Sequence, residues 1–236
     1  LYRECRSLIG RHSAPVMNVL RDEAHDELLR MGFPTRQDEE YKYTDVEAIF
    51  APDYGINLGR LDIPVNPYDV FKCDVPNMST SLYFIVNDRF YMKALPKVAL
   101  PEGVLLGSLK EIAEQYPDFV SKYYGQLADT RSNAITALNT MFAQDGLLLY
   151  VPKGVVVEKP IQLVNILRAD VNFMVNRRVL IIIENMAQAR LLMCDHAMDE
   201  VDFLANQVIE VHVGAGASFE FYELEETTPR TCRLSN

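Results

Sequence analysis

The spacing of apolar and polar residues along this chain changes once, near Gly146. Before that point apolar positions recur every three or four residues, as on a helix. From Pro15 to Met31 ("PVMNVLRDEAHDELLRM"), Val16, Leu20, Ala24, Leu28 and Met31 share one stripe, and charges fill the other face. Gly32 follows as a stop signal, so the pattern predicts one helix over 15–31. "GFPTRQDEEYKYTDVEAIF" starts polar at Pro34-Thr35 and ends in the apolar cluster Val46, Ile49 and Phe50. The Pro-, Asn- and Asp-rich stretch 51–80 predicts an extended connection. "LYFIVNDRFYM" at 82–92 predicts two short strands turning at Asn87-Asp88. "VLLGSLKEIAEQYP" reads as strand running into helix, stopped by Pro117. In "SNAITALNTMFAQDG", Ser132 is the expected N-cap, Ile135, Leu138 and Phe142 share a face, and Gly146 marks the end.

Beyond Gly146 the apolar period becomes two. Aligning Val155, Ala187 and Ala217 superposes Leu147, Val179 and Ile209, then Leu149, Ile181 and Val211, then Val151, Ile183 and Val213. A corner follows each run, at Pro152-Lys153-Gly154, Glu184-Asn185-Met186 and Gly214-Ala215-Gly216. A repeat of about 30 residues with alternating apolar positions suits a stacked-strand solenoid. An antiparallel sandwich with evenly spaced strands is the alternative. The glycines of "GAGAS" belong to the third corner and not to a phosphate loop, because "SFEFYEL" after them has no helical period.

The outward positions Leu148, Tyr150, Leu180 and Ile182 are apolar too, and strands apolar on both faces need cover on both. The N-terminal helices or a partner subunit would supply it. In the third coil the outward residues become Glu210 and His212. Replacing these is expected to matter far less than truncating Ile181 or Ile183. The division expected is an N-terminal helical and α+β region, 1–145, followed by the start of the solenoid, 146–236.

A net charge of −10 over 236 residues argues against nucleic acid or an anionic membrane as partner. The longest apolar run, "VLIIIE" at 179–184, is strand-sized, and no run reaches the roughly 18 residues that span a bilayer. "LYRECRSLIG" carries no signal peptide, and a start at Leu1 reads as a segment of a longer product. The cysteines at 5, 73, 194 and 232 form no C-x-x-C pair, so neither a zinc knuckle nor a disulfide framework is expected. The compartment expected is the reducing cytoplasm.

Four stretches in order resemble the SufB/SufD family of iron–sulfur cluster assembly proteins. "GFPTRQDEEYKYTDV" resembles its N-terminal motif, in which an aromatic usually stands at the place of Tyr41, before Lys42-Tyr43-Thr44. "FIVNDRFYMKALPKVALPEGVLLGSL" resembles the next block, a hairpin followed by a Leu-Pro-x-Gly-Val run. "DGLLLYVPKGVVVEKPIQL" and "GAGASFEFYELEE" resemble an opening and a later coil of its β-helix. SufB typically lacks the "TRQDEEYKYTD" block, which favours a SufD-type chain. The resemblance implies a right-handed parallel β-helix, mainly β with α, preceded by a helical region and followed by a C-terminal helical domain. It implies a non-enzymatic scaffold working with SufB-like and SufC-like (ATPase) subunits or a second copy of itself. An Fe–S cluster would be present transiently in the full complex and not bound firmly by this segment. The family's ATPase-binding helices and histidine-bearing region would lie past "TTPRTCRLSN", so no catalytic residue is carried over.

Cluster iron prefers cysteine thiolate, sometimes with histidine. Cys194-Asp195-His196 is the nearest constellation, which makes Cys194 and His196 the candidate metal residues. One C-x-H without a second pair reads better as a buried structural thiol beside a solvated histidine. Cys5, Cys73 and Cys232 have no histidine nearby, and His12, His25 and His212 lie among charges and read as solvated. A rival class is a β-helix polysaccharide lyase or hydrolase using Asp195, Asp199, Glu200 and Asp202 of "DHAMDEVDF". Such sites need a calcium ion or a basic residue among rigidly held carboxylates. No Lys or Arg is expected to join these acids, so they read as a solvated loop.

Overall fold

The computed structural model of the chain describes residues 1–71, 79–93, 96 and 99–236. Helices α1 (Tyr2–Arg11), α2 (Pro15–Asn18) and α3 (Arg21–Met31) come first, then α4 (Val46–Phe50) and α5 (Pro67–Val70). The expected single helix over 15–31 is therefore broken after Asn18. Just past the break the buried Arg21 guanidinium donates to the carbonyls of Thr140, Met141 and Ala143 and to Ser13 Oγ. A buried cation needs such partners. The 51–80 connection is not wholly extended either, since the Asn66 side chain caps α5 within it. Cys73 lies outside the described residues.

Strands β1 (Ser81–Val86) and β2 (Arg89–Phe90) form the expected hairpin, with Asn87 in the left-handed region at φ 55. Next, β3 (Leu105–Ser108) runs into α6 (Leu109–Gln115), followed by α7 (Pro117–Val120) and α8 (Ala134–Phe142). Asn133, not Ser132, caps α8: its side chain accepts from Thr136 N, whereas Ser132 Oγ is committed to Asp129. Gly146 does not end that helix but sits inside β4 (Asp145–Val151). A Cβ there would stand 1.9 Å from the Arg178 carbonyl oxygen, so the ladder itself demands glycine.

From β4 onward the chain winds as a parallel β-solenoid. It continues through β5 (Ile161–Leu167), β6 (Phe173–Ile183), β7 (Gln188–Ala197), β8 (Phe203–Val213), β9 (Ser218–Glu226) and β10 (Thr231–Ser235). Alternate strands build two five-stranded sheets, β3-β4-β6-β8-β10 and β2-β1-β5-β7-β9. Pairing between coils is parallel throughout, which excludes the antiparallel sandwich. Leu147–Val179–Ile209, Leu149–Ile181–Val211 and Val151–Ile183–Val213 are rungs of one ladder, as the spacing predicts. Gly154, Met186 and Gly216 turn the three corners with φ of 74, 61 and 67. The N-terminal half closes the bottom: β1 lies parallel below β5, and β3 lies antiparallel below β4.

Alternation then sorts the side chains. Leu149, Val151, Ile181 and Ile183 meet Ile161, Leu163, Leu191 and Met193 of the facing sheet in the main core. Outward-facing Leu148, Leu180 and Ile182 are buried under Ala14, Met17, Leu109, Ala113 and Val120. The cover is thus supplied by α2, α6 and α7. Burying each such aliphatic side chain contributes about 1.5–3 kcal/mol.

Candidate functional site

Following the inward parity toward the start of each strand leads from apolar to polar residues. Asp145, Arg177 and Gln207 form one ladder below Leu147, Val179 and Ile209. Asn165, Asp195 and Glu225 form the ladder on the facing sheet. The result is a polar seam inside the solenoid. It divides the main apolar core from a second one built on Leu167, Val175, Phe203 and Ala205.

Arg177 Nη2 donates to Asp195 Oδ1 at 2.6 Å, and both side chains are buried. One coil higher, Gln207 Nε2 reaches Glu223 Oε1 at 3.4 Å, and Arg233 of β10 pairs with Glu223 and Glu225. Burial works to lower the Arg233 pKa, but Asp195, Glu223 and Glu225 outweigh it and raise the pKa. At the base, Arg60 pairs with Asp88 and reaches Asp145 at 3.6 Å. Asp145 Oδ1 also accepts from Ser108 Oγ at 2.7 Å and Lys110 N at 3.1 Å. Burial nevertheless pushes the Asp145 carboxyl above its ordinary pKa, against the pull of Arg60 and these hydrogen bonds. The base groups line a cavity of about 330 Å³, together with His12, Arg89, Lys93 and Lys110.

A second buried ion pair lies on the outer face. Glu210 is 1% exposed and takes Arg178 Nη2 at 2.7 Å and Nε at 3.1 Å. The amides of Gly125, Leu127 and Ala128 donate to it at 3.0, 3.0 and 3.2 Å. Burial raises its pKa, yet Arg178 and the Gly125 and Leu127 amides prevail and hold the carboxyl below the ordinary glutamate value. The expectation that replacing the outward Glu210 would matter far less than truncating the core is therefore wrong, because the segment after α7 folds over it. His212 is not freely solvated either: its ring packs edge-on against Tyr123 at 5.0 Å.

Strand alternation splits Cys194-Asp195-His196. Cys194 and His196 lie on the outer face of β7, and Asp195 points into the seam. Cys194 is 1% exposed among Phe84, Val164, Ile166 and Leu192, a buried thiol as expected. His196 is partly buried and not solvated; its Nδ1 lies 3.4 Å from Glu226 Oε2, and its ring meets Phe71 edge-on. Cys5 packs with the α1 and α8 cluster, and Cys232 beside Leu204 and Leu234. His25 stacks on Tyr2 at 4.9 Å and is also partly buried. Among the described residues, no three His, Cys, Asp or Glu side chains gather as a metal site would require.

The acidic loop is corrected as well, since arginines do join it. Arg168 Nη1 donates to Asp199 Oδ2 at 2.9 Å, and Arg230 Nε to Asp202 Oδ1 at 2.9 Å. Each arginine comes from a neighbouring coil, so local sequence could not place it. These pairs stitch successive inter-coil loops together. Sequence reading also missed Arg60, Asp145, Arg177, Gln207 and Arg178. For the seam a signal was present: Asp145, Arg177 and Gln207 stand two positions before inward apolar residues and so share their face.

A parallel β-solenoid with a helical layer over one sheet and a polar seam inside is an architecture built by repetition, each coil resting on its neighbours. Residues 1–163 match the SufBD protein N-terminal region, and residues 166–236 match the SufBD core domain of the SUF system for FeS cluster assembly. The chain belongs to the SufBD family. An iron–sulfur cluster assembly SufBD family protein of Synechocystis sp. is 24% identical over 206 residues, which is 84% of this chain and 45% of that protein. The chloroplastic SufBD family protein ABCI8 of Arabidopsis thaliana is 27% identical over 119 residues, 50% of this chain and 21% of its own length. Chloroplastic protein ABCI7 of the same plant is 24% identical over 154 residues, 64% of this chain and 30% of its own. The chain thus spans less than half the length of these curated relatives.

Proposed function

We propose that this chain is a SufD-type scaffold in iron–sulfur cluster assembly, working with SufB-like and SufC-like subunits. The observation that carries the reading is the match to both family regions in order, on a solenoid tied to its N-terminal half where Glu210 takes the amides of Gly125, Leu127 and Ala128. Co-expression with SufB-like and SufC-like proteins tests it. Capture of both through a tag on this chain supports the reading, and purification of this chain free of both overturns it.

The scaffold role needs no cluster held by this chain's own cysteines. Cys194 lies in an apolar outer cluster, and Cys5 and Cys232 pack in two other clusters. Reconstitution with iron and sulfide should leave no stable visible absorption. A chromophore abolished by Cys194→Ser would reverse that and promote Cys194 and His196 to ligands. The lyase reading is disfavoured because Asp195 faces the interior while Asp199 and Asp202 are held by Arg168 and Arg230. No helix among the described residues is long and apolar enough to cross a membrane. The proposed compartment is the cytoplasm.

A further inference from the structure

Among the described residues, several polar atoms of the interior seam have no hydrogen-bond partner: Arg177 Nε and Nη1, Asn165 Nδ2 and Oδ1, and Gln207 Oε1. Arg177 and Gln207 are wholly buried, and Asn165 nearly so. The register stacks them. Asn165 lies beneath Asp195, whose carboxylate takes Arg177 Nη2, and Arg177 lies between Asp145 and Gln207. The unpartnered atoms therefore line a column through successive coils whose two sides are facing ladders, joined by the Arg177–Asp195 bond.

A buried donor or acceptor left dry costs at least as much as an ordinary hydrogen bond contributes. Leaving all of these atoms dry would rival the folding free energy of a whole domain. Their guest must fit between coils and must both donate and accept, since the column presents N–H groups and amide oxygens together. Arg177 is already matched in charge by Asp195, so a neutral guest suffices.

We propose that the seam is a water-binding site. Ordered waters bridge Asn165 to Arg177 and Arg177 to Gln207. They exchange with solvent through the base cavity, whose lining includes Asn87, Asp88 and Asp145. Buried waters of this kind make about three hydrogen bonds each, which the column can supply. The solenoid interior is then a wet layer between two dry cores, with the Arg177–Asp195 pair inside it.

Water-to-amide cross-relaxation on the intact chain tests this. Long-lived water should be seen at the amides of Asn165, Arg177, Asp195 and Gln207, and not at those of Leu149 or Ile181 in the dry core. In Asn165→Leu, similar in shape but unable to hydrogen-bond, the signal at 165 should vanish while that at 207 persists. Should that variant not fold, the unmodified chain decides alone. Absence of long-lived water at all four amides overturns the proposal. So does anomalous scattering from bromide at Arg177 in soaked crystals, which would make the guest an anion.

Discussion

Removing the Glu210 carboxylate would leave Arg178 buried beside the Tyr124 ring with its main counter-charge gone, and would strip the Gly125, Leu127 and Ala128 amides of their acceptor. Breaking one side of a buried pair costs about 3–5 kcal/mol, so Glu210→Ala should destabilise by that order in urea melts. The pH dependence follows from the sign of the shift. The Glu210 pKa is lowered on folding, so its contribution is complete above the ordinary glutamate value and is lost as pH falls through the folded value. Glu210→Gln should flatten stability against pH in that acid range. Asp145 acts in the opposite sense. Its pKa is raised, so its cost appears as pH rises through the ordinary aspartate value. Met186 is a separate case: a non-glycine residue at φ 61, 62% exposed, aligned with Gly154 and Gly216. A left-handed conformation costs a side-chain-bearing residue about 1–2 kcal/mol, and glycine loses about 0.5–1 kcal/mol in chain entropy. Met186→Gly should therefore stabilise by up to about 1 kcal/mol, measured as a raised midpoint; a lowered one would mean the thioether's contact over Gly216 matters more.

The period of two placed every rung from Leu147 to Val213 correctly, because a slip of one residue would turn the whole apolar set outward. Ile181→Ala and Ile183→Ala should each cost about 2–5 kcal/mol, whereas His212→Ala should cost about 1 kcal/mol. The hairpin at Asn87-Asp88 was legible for a similarly local reason. What stayed hidden was pairing between distant residues. Nothing near β1 says that it lies against β5, and nothing near β3 says that it runs antiparallel to β4. Glu210 was hidden in the same way, since Arg178 lies 32 residues before it and the Gly125 amide 85. Its one trace is a lone carboxylate inside the apolar "VIEVHV" strand. Gly146 offers a check on the ladder. Gly146→Ala should disrupt β4–β6 pairing and fold poorly, while Gly154→Ala, with open space around its Cβ, should cost about 1 kcal/mol.

Among the described residues no strand pairs with the outer edge of β9, and β10 covers β8 only as far as Gln207. Val213 is consequently 50% exposed although it belongs to the inward ladder. Open strand edges recruit further strands, so these 236 residues expressed by themselves should associate when concentrated. Light scattering coupled to gel filtration should show dimers or larger species, and a monomer across a wide concentration range would refute this. The lower end has a different consequence. The two strands that close it come from the first half of the chain, yet they rest on residues far along it: Asn87 Nδ2 bonds the carbonyl of Arg168, 81 positions away. During synthesis, then, β1 and β3 emerge from the ribosome long before β4 and β5 exist to receive them. Contacts so distant in sequence form late and slowly. The N-terminal half should leave the ribosome unfolded and need protection there, by a chaperone or by nascent helices, until β5 is translated. Residues 1–145 made alone should accordingly show flat, noncooperative melting, while the intact chain melts cooperatively.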